Sequence, residues 1–359
     1  MTNRAVKSEK KHSTVSAEIR RPTIGLGLIV RNEAADLPAC LNSFLPEVNC
    51  CVLVDTGSTD DTVAIARSIL EASGRRYHIE KYLGANDEDG LFCDFAAARN
   101  RYCALLADFD VEYCLSVDAD DTLLSKDIAG ALARQPADFY GIQYRMNADC
   151  VFNSYKIWRN KMGVKWVGRV HEYLNIDWKK KVLDITTVEV QHHWTTVEGQ
   201  ETGTQRNMRI LRKEMYPPLR SLFYWANENA EAGNHEEAAK WYLEYIRRAN
   251  SGEGAWEVEL AHCYFRGARW LQHLGKTEAA VVLSKELLDK DPSWAESWCE
   301  LAYISRIRGD WEKMEEYAKK ALSCKYIPRL FSEKDKYTET PANMLAVAKI
   351  MRSNQKVTK

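Results

Sequence analysis

From Thr23 to Val190, short apolar and β-branched runs alternate with stretches whose apolar positions recur every three or four residues, the grammar of an α/β domain. Ile24 to Arg31 predicts a strand, a helix is expected from Ala34, Cys51 to Asp55 predicts a second strand, and a second helix is expected from Asp60. Further strands are expected at Arg76 to Tyr82 and Glu112 to Val117. Between them Phe95, Ala98, Tyr102 and Leu105 form one face of an amphipathic helix. After about Asp138 the runs Phe139 to Arg145, Asn153 to Arg159 and Val182 to Val190 lack full intervening helices, which predicts antiparallel additions to a sheet that begins parallel.

Beyond Gln200 the pattern turns purely helical and repeats. Ala232-Gly233-Asn234, Leu274-Gly275-Lys276 and Arg308-Gly309-Asp310 each sit where one helix of a pair gives way to the next. Gly233 and Gly275 lie 42 residues apart and Gly275 and Gly309 lie 34 apart. The second spacing is the tetratricopeptide period; the first implies an insertion near Asn250 to Ala255. Asp291-Pro292 opens the third unit, and a terminal helix is expected around Pro341 to Met351. Stacked helix pairs bury what each exposes alone, giving a short solenoid whose concave face is a candidate docking surface. Trp241, Tyr242, Trp256, Trp294, Trp298 and Trp311 read more readily as repeat core than as a ligand platform.

A chain of 359 residues exceeds the usual single-domain length. The expected division is a tail over residues 1–21, an α/β domain over 22–215 and helical repeats over 216–359. Lys and Arg total 50 against 51 Asp and Glu, so no whole-molecule field draws the chain to nucleic acid or anionic membrane. No run approaches the roughly 18 apolar residues of a membrane span. The tail carries Arg4, Lys7, Lys10, Lys11, Arg20 and Arg21 and reads as solvated and disordered, or as a basic arm for an anionic acceptor. The ten cysteines include a vicinal Cys50-Cys51 pair but no Cys-x-x-Cys, which favours buried thiols in a reducing cytoplasm over a zinc ribbon or disulfide framework.

The chemistry points to strand ends. In Leu115-Ser116-Val117-Asp118-Ala119-Asp120-Asp121 an apolar strand stops and three carboxylates follow, at the sheet edge where open α/β sheets bind ligands. Hard carboxylate oxygens suit Mg²⁺ or Mn²⁺, and such ions commonly bridge a protein to phosphates. Alone the run reads almost as well as an acidic turn capping the next helix. Val54-Asp55-Thr56-Gly57-Ser58-Thr59-Asp60 is likewise an ordinary strand-to-helix turn by itself. Gly25-Leu26-Gly27 lies inside a strand and lacks the third glycine of a dinucleotide fingerprint, and no Gly-x4-Gly-Lys-Ser/Thr loop exists, so dehydrogenase and P-loop chemistry are disfavoured.

Taken in order, Ile29-Val30-Arg31-Asn32-Glu33, the Asp55 turn, Asp94-Phe95-Ala96-Ala97-Ala98-Arg99-Asn100 and the acidic strand end resemble the family 2 glycosyltransferases over about residues 23 to 215. The resemblance implies a GT-A fold, a Rossmann-like nucleotide-sugar-binding sheet, and usually inverting transfer from a nucleotide sugar. It implies that Arg31, Glu33 and Asp55 border the nucleoside, that Arg99 approaches the base or diphosphate, and that Asp118 and Asp120 form a metal-binding Asp-x-Asp. The repeats make the chain similar to tetratricopeptide-bearing bacterial members, the group that includes the bacteriocin S-glycosyltransferases. Their Trp-x-Gly-x-Val-His-Glu segment is matched by Trp166-Val167-Gly168-Arg169-Val170-His171-Glu172. Their Ile-x-His-x-Gly-Tyr segment is matched only in part by Val190-Gln191-His192-His193-Trp194. His192 or His193 is then expected to complete the metal site, or the pair is simply an exposed strand end.

Inverting transfer needs a group to take the acceptor's proton. Glu172 beside His171 is the first candidate, with orientation of the acceptor or of His171 as its other reading, and Asp149 and Asp177 in reserve. The expected function is a metal-dependent glycosyltransferase with a nucleotide-sugar donor, uridine being the commoner base. The rival is an inactive transferase-like scaffold working through its repeats. Acceptors left open are a peptide, a glycan and a modified base in DNA, the last suggested by the basic tail and Lys179-Lys180-Lys181. The repeats also leave room for a homodimer.

Overall fold

The computed structural model describes residues 20–147, 150–193, 201–214, 216–327 and 331–357. The basic residues before Arg20, the reserve candidate Asp149, and Trp194 lie outside the described residues.

Alternating strands and helices build the first half: β1 (Ile24–Val30), α1 (Leu37–Phe44), β2 (Cys50–Asp55), α2 (Thr62–Ser73), β3 (Arg76–Lys81), α3 (Phe95–Leu106) and β4 (Tyr113–Ser116). Then come β5 (Asp121–Leu123), α4 (Ile128–Arg134), β6 (Phe139–Arg145), β7 (Val151–Arg159), β8 (Trp166–Val167), β9 (Tyr173–Leu174) and β10 (Val182–His192). One eight-stranded sheet runs β3-β2-β1-β4-β7-β6-β10-β5, and β8 pairs with β9 as a separate hairpin. Strands β3, β2, β1 and β4 are parallel, β7 runs antiparallel between β4 and β6, β10 pairs parallel with β6 instead of the expected antiparallel addition, and β5 runs antiparallel to β10. The short β5 and the β8–β9 hairpin escaped the sequence reading because two or three residues cannot set up a period.

Strand alternation divides the core in two. Ile24, Leu26, Leu28 and Val30 of β1 face one cluster with Cys51 and Leu53, while Cys50, Val52 and Val54 face the other. The vicinal cysteines therefore point to opposite sides of the sheet, and all ten cysteines are free thiols. On the α3 side β1 carries glycines. A Cβ at Gly27 would lie 2.4 Å from the Tyr102 ring, so Gly25-Leu26-Gly27 admits a tightly seated α3 rather than a nucleotide phosphate. That seating matters because α3 carries Arg99.

The second half is α5 (Gly203–Leu211), α6 (Leu219–Glu231), α7 (His235–Asn250), α8 (Glu257–His273), α9 (Thr277–Lys290), α10 (Ala295–Ile307), α11 (Trp311–Ser323) and α12 (Glu339–Val357). Gly233, Gly275 and Gly309 adopt φ of +79°, +74° and +68° and close α6, α8 and α10. The 42-residue interval comes partly from long helices, since α7 and α8 have 16 and 17 residues against 14 and 13 in α9 and α10. Ile210 and Leu211 of α5 are buried in the helical core together with Val170 from the β8–β9 turn. The two halves are joined through that turn.

Candidate active site

The carboxyl ends of β1, β2 and β4 converge on one edge. After β1, Asn32 takes a left-handed conformation (φ +57°), and its Oδ1 accepts the Thr59 N–H at 2.8 Å. Arg31 donates to the Gly90 carbonyl at 3.3 Å, and the Glu33 N–H donates to Thr62 Oγ1 at 2.7 Å. After β2, the buried Asp55 accepts the Ser58 N–H at 2.8 Å, which tightens the turn and holds the carboxylate at the rim. Asn32 thus ties the β1 loop to the β2 loop.

After β4 the acidic run separates by role. Asp121 is fully buried; its oxygens accept the Asp118 N–H and the Tyr144 hydroxyl, both at 2.8 Å, and one lies 2.9 Å from His192 Nδ1. This contact orients the imidazole and puts the neutral ring's proton on Nδ1. Asp120 lies 3.5 Å from the same nitrogen. Asp118 is engaged by Arg99 and by Lys156 Nζ at 3.6 Å.

Arg99 lies beneath this edge. Its guanidinium contacts Glu172 through Nε, Asp118 through Nη2 and Ser116 Oγ through Nη1 at 3.2 Å, and sits 4.8 Å above the Trp166 ring. The arginine and lysine hold the Asp118 carboxyl far below the usual range despite its burial. Their reach ends there. Burial, then the neighbouring carboxylates led by Asp120, push Glu33 up to about 8. Burial and the charges of Asp118 and Asp121 push Asp120 up to about 7 against the opposing pull of His192. The carboxyl groups are crowded here, and each strengthens its neighbours' hold on a proton.

The donor set fits a hard divalent ion. Ligand atoms of Asp118, Asp121 and His192 lie within 4.8 Å of one another, and Asp120 adjoins them. Asp121 is also held by His192, Tyr144 and a backbone N–H, and Asp118 by Arg99 and Lys156.

The family model described as "Glycosyl transferase family 2" matches residues 26–187. These residues are a family 2 glycosyl transferase domain. Its sheet is the GT-A arrangement, with helical repeats behind it. The SPbeta prophage-derived glycosyltransferase SunS of Bacillus subtilis (strain 168) is 28% identical over 250 residues, 64% of this chain. The chain spans 53% of that relative's length. A TPR repeat-containing protein of Synechococcus elongatus is 36% identical over 101 residues, 28% of this chain and 21% of its own. Among solved structures, residues 1–349 of S. aureus TarS superpose with a TM-score of 0.38 at 13% identity, covering 90% of each chain.

Within the family 2 domain the expected residues divide. Arg31, Glu33, Asp55, Asp118, Asp120 and His192 gather at one edge. Arg99 lies just beneath them, 3% exposed and engaged by Glu172, Ser116 and Asp118. Glu172 is ion-paired with that arginine. His171 faces away, stacked on Tyr224 of α6. His193 bonds Thr122 at 2.8 Å, so His192 is the histidine of the acidic group. Asp177 caps a turn before β10, at the opposite end of the sheet, by accepting the Lys179 N–H. Sequence reasoning missed Lys156, Tyr144 and the orienting role of Asp121. Only the lysine within an otherwise strand-like run hinted at the first.

Proposed function

We propose that this chain transfers a sugar from a nucleoside-diphosphate donor, UDP-linked, to an acceptor with inversion at the anomeric carbon, using Mn²⁺ or Mg²⁺ held by Asp118, Asp120 and His192. The supporting observation is the crowding of carboxyl groups at the strand edge, next to the rim formed by Arg31, Glu33 and Asp55. When bound, the ion supplies Lewis-acid stabilisation of the departing diphosphate. The chain's own residues do the rest. Asp55 and the Asn32-tied loops shape the nucleoside rim, Asp121 fixes the His192 ring, and Arg99 with Lys156 keeps Asp118 ionised. Glu172 we assign to positioning Arg99 in place of proton transfer.

The acceptor is a peptide side chain, a glycan or a modified nucleobase, and the helical repeats hold it or a second copy of the chain. Ten free thiols suit a cytoplasmic setting, and among the described residues no helix is long and apolar enough to cross a membrane.

The test is a thermal-shift panel of nucleoside diphosphates and nucleotide sugars with and without Mn²⁺, since a ligand that binds the folded state raises its melting temperature. One donor is expected to give a metal-dependent shift that Asp120→Ala abolishes, together with turnover lower by about a thousandfold. That donor then separates the three acceptor classes in a transfer assay. Wild-type protein that responds to no nucleotide would overturn the proposal in favour of a non-catalytic scaffold.

A further inference from the structure

The segment from Trp166 to Leu174 sends its side chains alternately into both halves of the molecule. Trp166 and Leu174 are buried in the catalytic core under Arg99, whereas Val170 is buried in the helical core. Glu172 turns to Arg99 and its neighbour His171 turns to α6. The divergence depends on the backbone. His171 holds φ +50°, a conformation that a residue with a Cβ rarely adopts, and Gly168 holds φ +101° just before it.

What holds His171 there belongs to α6. Its ring lies flat on Tyr224, with 3.5 Å between centroids and 7° between planes, and its Nε2 meets Glu228 Oε1 at 3.1 Å. Asn207 of α5 donates to the same Glu228 oxygen at 2.7 Å. Arg220 donates to the His171 carbonyl at 3.0 Å and lies 5.1 Å from the centres of both the Tyr173 and Tyr224 rings. Toward the sheet the segment is bound just as firmly to α3. The Phe95 N–H donates to the Arg169 carbonyl at 2.8 Å, and Asn100 exchanges two hydrogen bonds with the Trp166 backbone, at 2.9 and 3.0 Å.

We propose that α6 of the helical half positions the donor site. Tyr224, Glu228 and Arg220 hold His171 in its left-handed turn, the turn aims Glu172 at Arg99, and Arg99 in turn sets Asp118. The proposal rests on reading the Asp118 edge as the donor site. It makes the helical repeats part of the catalytic machinery as well as an acceptor surface. A burial argument alone would place Tyr224 and Glu228 in the glue between domains. What sets them apart is that their contact is with the residue adjoining Glu172, across a strained φ.

The test is hydrogen exchange on the full chain, reading residues 95–100 and 113–121 with α9, α10 and α11 as internal reference. Glu228→Leu removes the acceptor for His171 and Asn207, whereas Glu228→Gln keeps an acceptor oxygen. Positioning predicts exchange about tenfold faster over 113–121 in the leucine variant, restored by glutamine, with the reference helices unchanged. Faster exchange confined to α5, α6 and 166–174 would mean that the contact only joins the domains, and would overturn the proposal. Should Glu228→Leu fail to fold, His171→Asn and His171→Val repeat the comparison from the other side. Asparagine tolerates the left-handed turn and can donate to Glu228, whereas valine does neither. Titration with UDP in Mn²⁺ is expected to show about tenfold weaker affinity in Glu228→Leu and wild-type affinity in Glu228→Gln. Wild-type protein that ignores UDP and every other nucleotide refutes the donor reading, while the exchange pattern still decides whether α6 sets the Asp118 edge.

Discussion

Each half of the molecule is organised around one partly or wholly buried arginine that meets two carboxylates, and the two arrangements differ in what surrounds them. Arg269 of α8 donates to Glu300 at 2.7 Å and in bidentate fashion to Glu333 at 2.7 and 3.0 Å. Lys336 Nζ lies 3.7 Å and Arg266 Nη1 3.8 Å from the Glu333 carboxylate. The Glu333 carboxyl is held below its ordinary range by Arg269 in spite of burial, and although burial raises Glu300 against the pull of the same guanidinium, three cations serve these two carboxylates. Arg99 also joins two carboxylates, but Asp120, Asp121 and Glu33 crowd beside them, and Lys156 is the nearest further cation. A helix pair gains stability from a closed cluster. An open one is a cost that a fold keeps where a ligand completes it.

The largest expected effect comes from breaking each arginine in turn. Arg99→Met leaves Glu172 without its partner and Asp118 with Lys156 alone, and is expected to cost about 3–5 kcal/mol, read by urea denaturation. Arg269→Met should cost a similar amount through Glu300, which is 8% exposed. The comparison separates them on addition of Mn²⁺, which should recover part of the loss only in the first variant. Equal response to the ion would mean that the two clusters are alike.

A smaller effect of opposite sign is expected at Asp120. Asp120→Asn removes one of the crowded charges, so without divalent ions it should raise the melting temperature by about 2–4 °C, the equivalent of 1 kcal/mol in a domain of this size. The same variant should lose any stabilisation by Mn²⁺. A lower melting temperature in EDTA would show that Asp120 already has its charge balanced within the chain.

The two halves also differed in how far the sequence revealed them. The parallel strands β1 to β4, the runs at β6, β7 and β10 and the glycine-closed repeats could all be read, because each is long enough to display a period or ends on a residue with a backbone constraint. The gathering of Arg31, Glu33, Asp55, Asp118, Asp120 and His192 was legible for a related reason, since parallel strands bring their carboxyl ends to one edge. The contacts among Arg99, Glu172 and His171 were not legible. A motif marks residues in one dimension, whereas the contacts of this segment depend on the left-handed turn at His171 and on Tyr224 and Glu228, more than fifty positions away. Lys156 and Tyr144 come from strands whose order in the sheet, β7 beside β4 and β6 beyond it, no local pattern specifies.

The smallest effect tests the closed side of the comparison through pH. His262 of α8 is buried among Phe223, Phe265 and Phe331, with Nε2 at 3.2 Å from Asn227 Oδ1 and, among the described residues, no hydrogen-bond partner for Nδ1. Burial, reinforced by the charges of Arg266 and Arg269, holds its pKa well below the ordinary value of 6.5. Above pH 6.5 neither the folded nor the unfolded chain carries this proton, and the residue contributes no pH dependence. Below it the unfolded chain takes up the proton and the folded chain does not, so stability falls as pH falls, approaching about 1.4 kcal/mol per pH unit. His262→Phe removes the titration, and Asn227 Oδ1 still accepts the Tyr242 hydroxyl. Buried Glu259, Glu296 and Glu300, with raised values, gain stability on acidification in both proteins, so the difference between wild type and variant isolates the histidine. From pH 6.5 to 5.5 wild type should lose about 1 kcal/mol relative to His262→Phe in urea denaturation. Parallel pH profiles would mean that the folded chain accepts the proton at His262, and that the cluster beside Arg269 is less closed than its ion pairs imply.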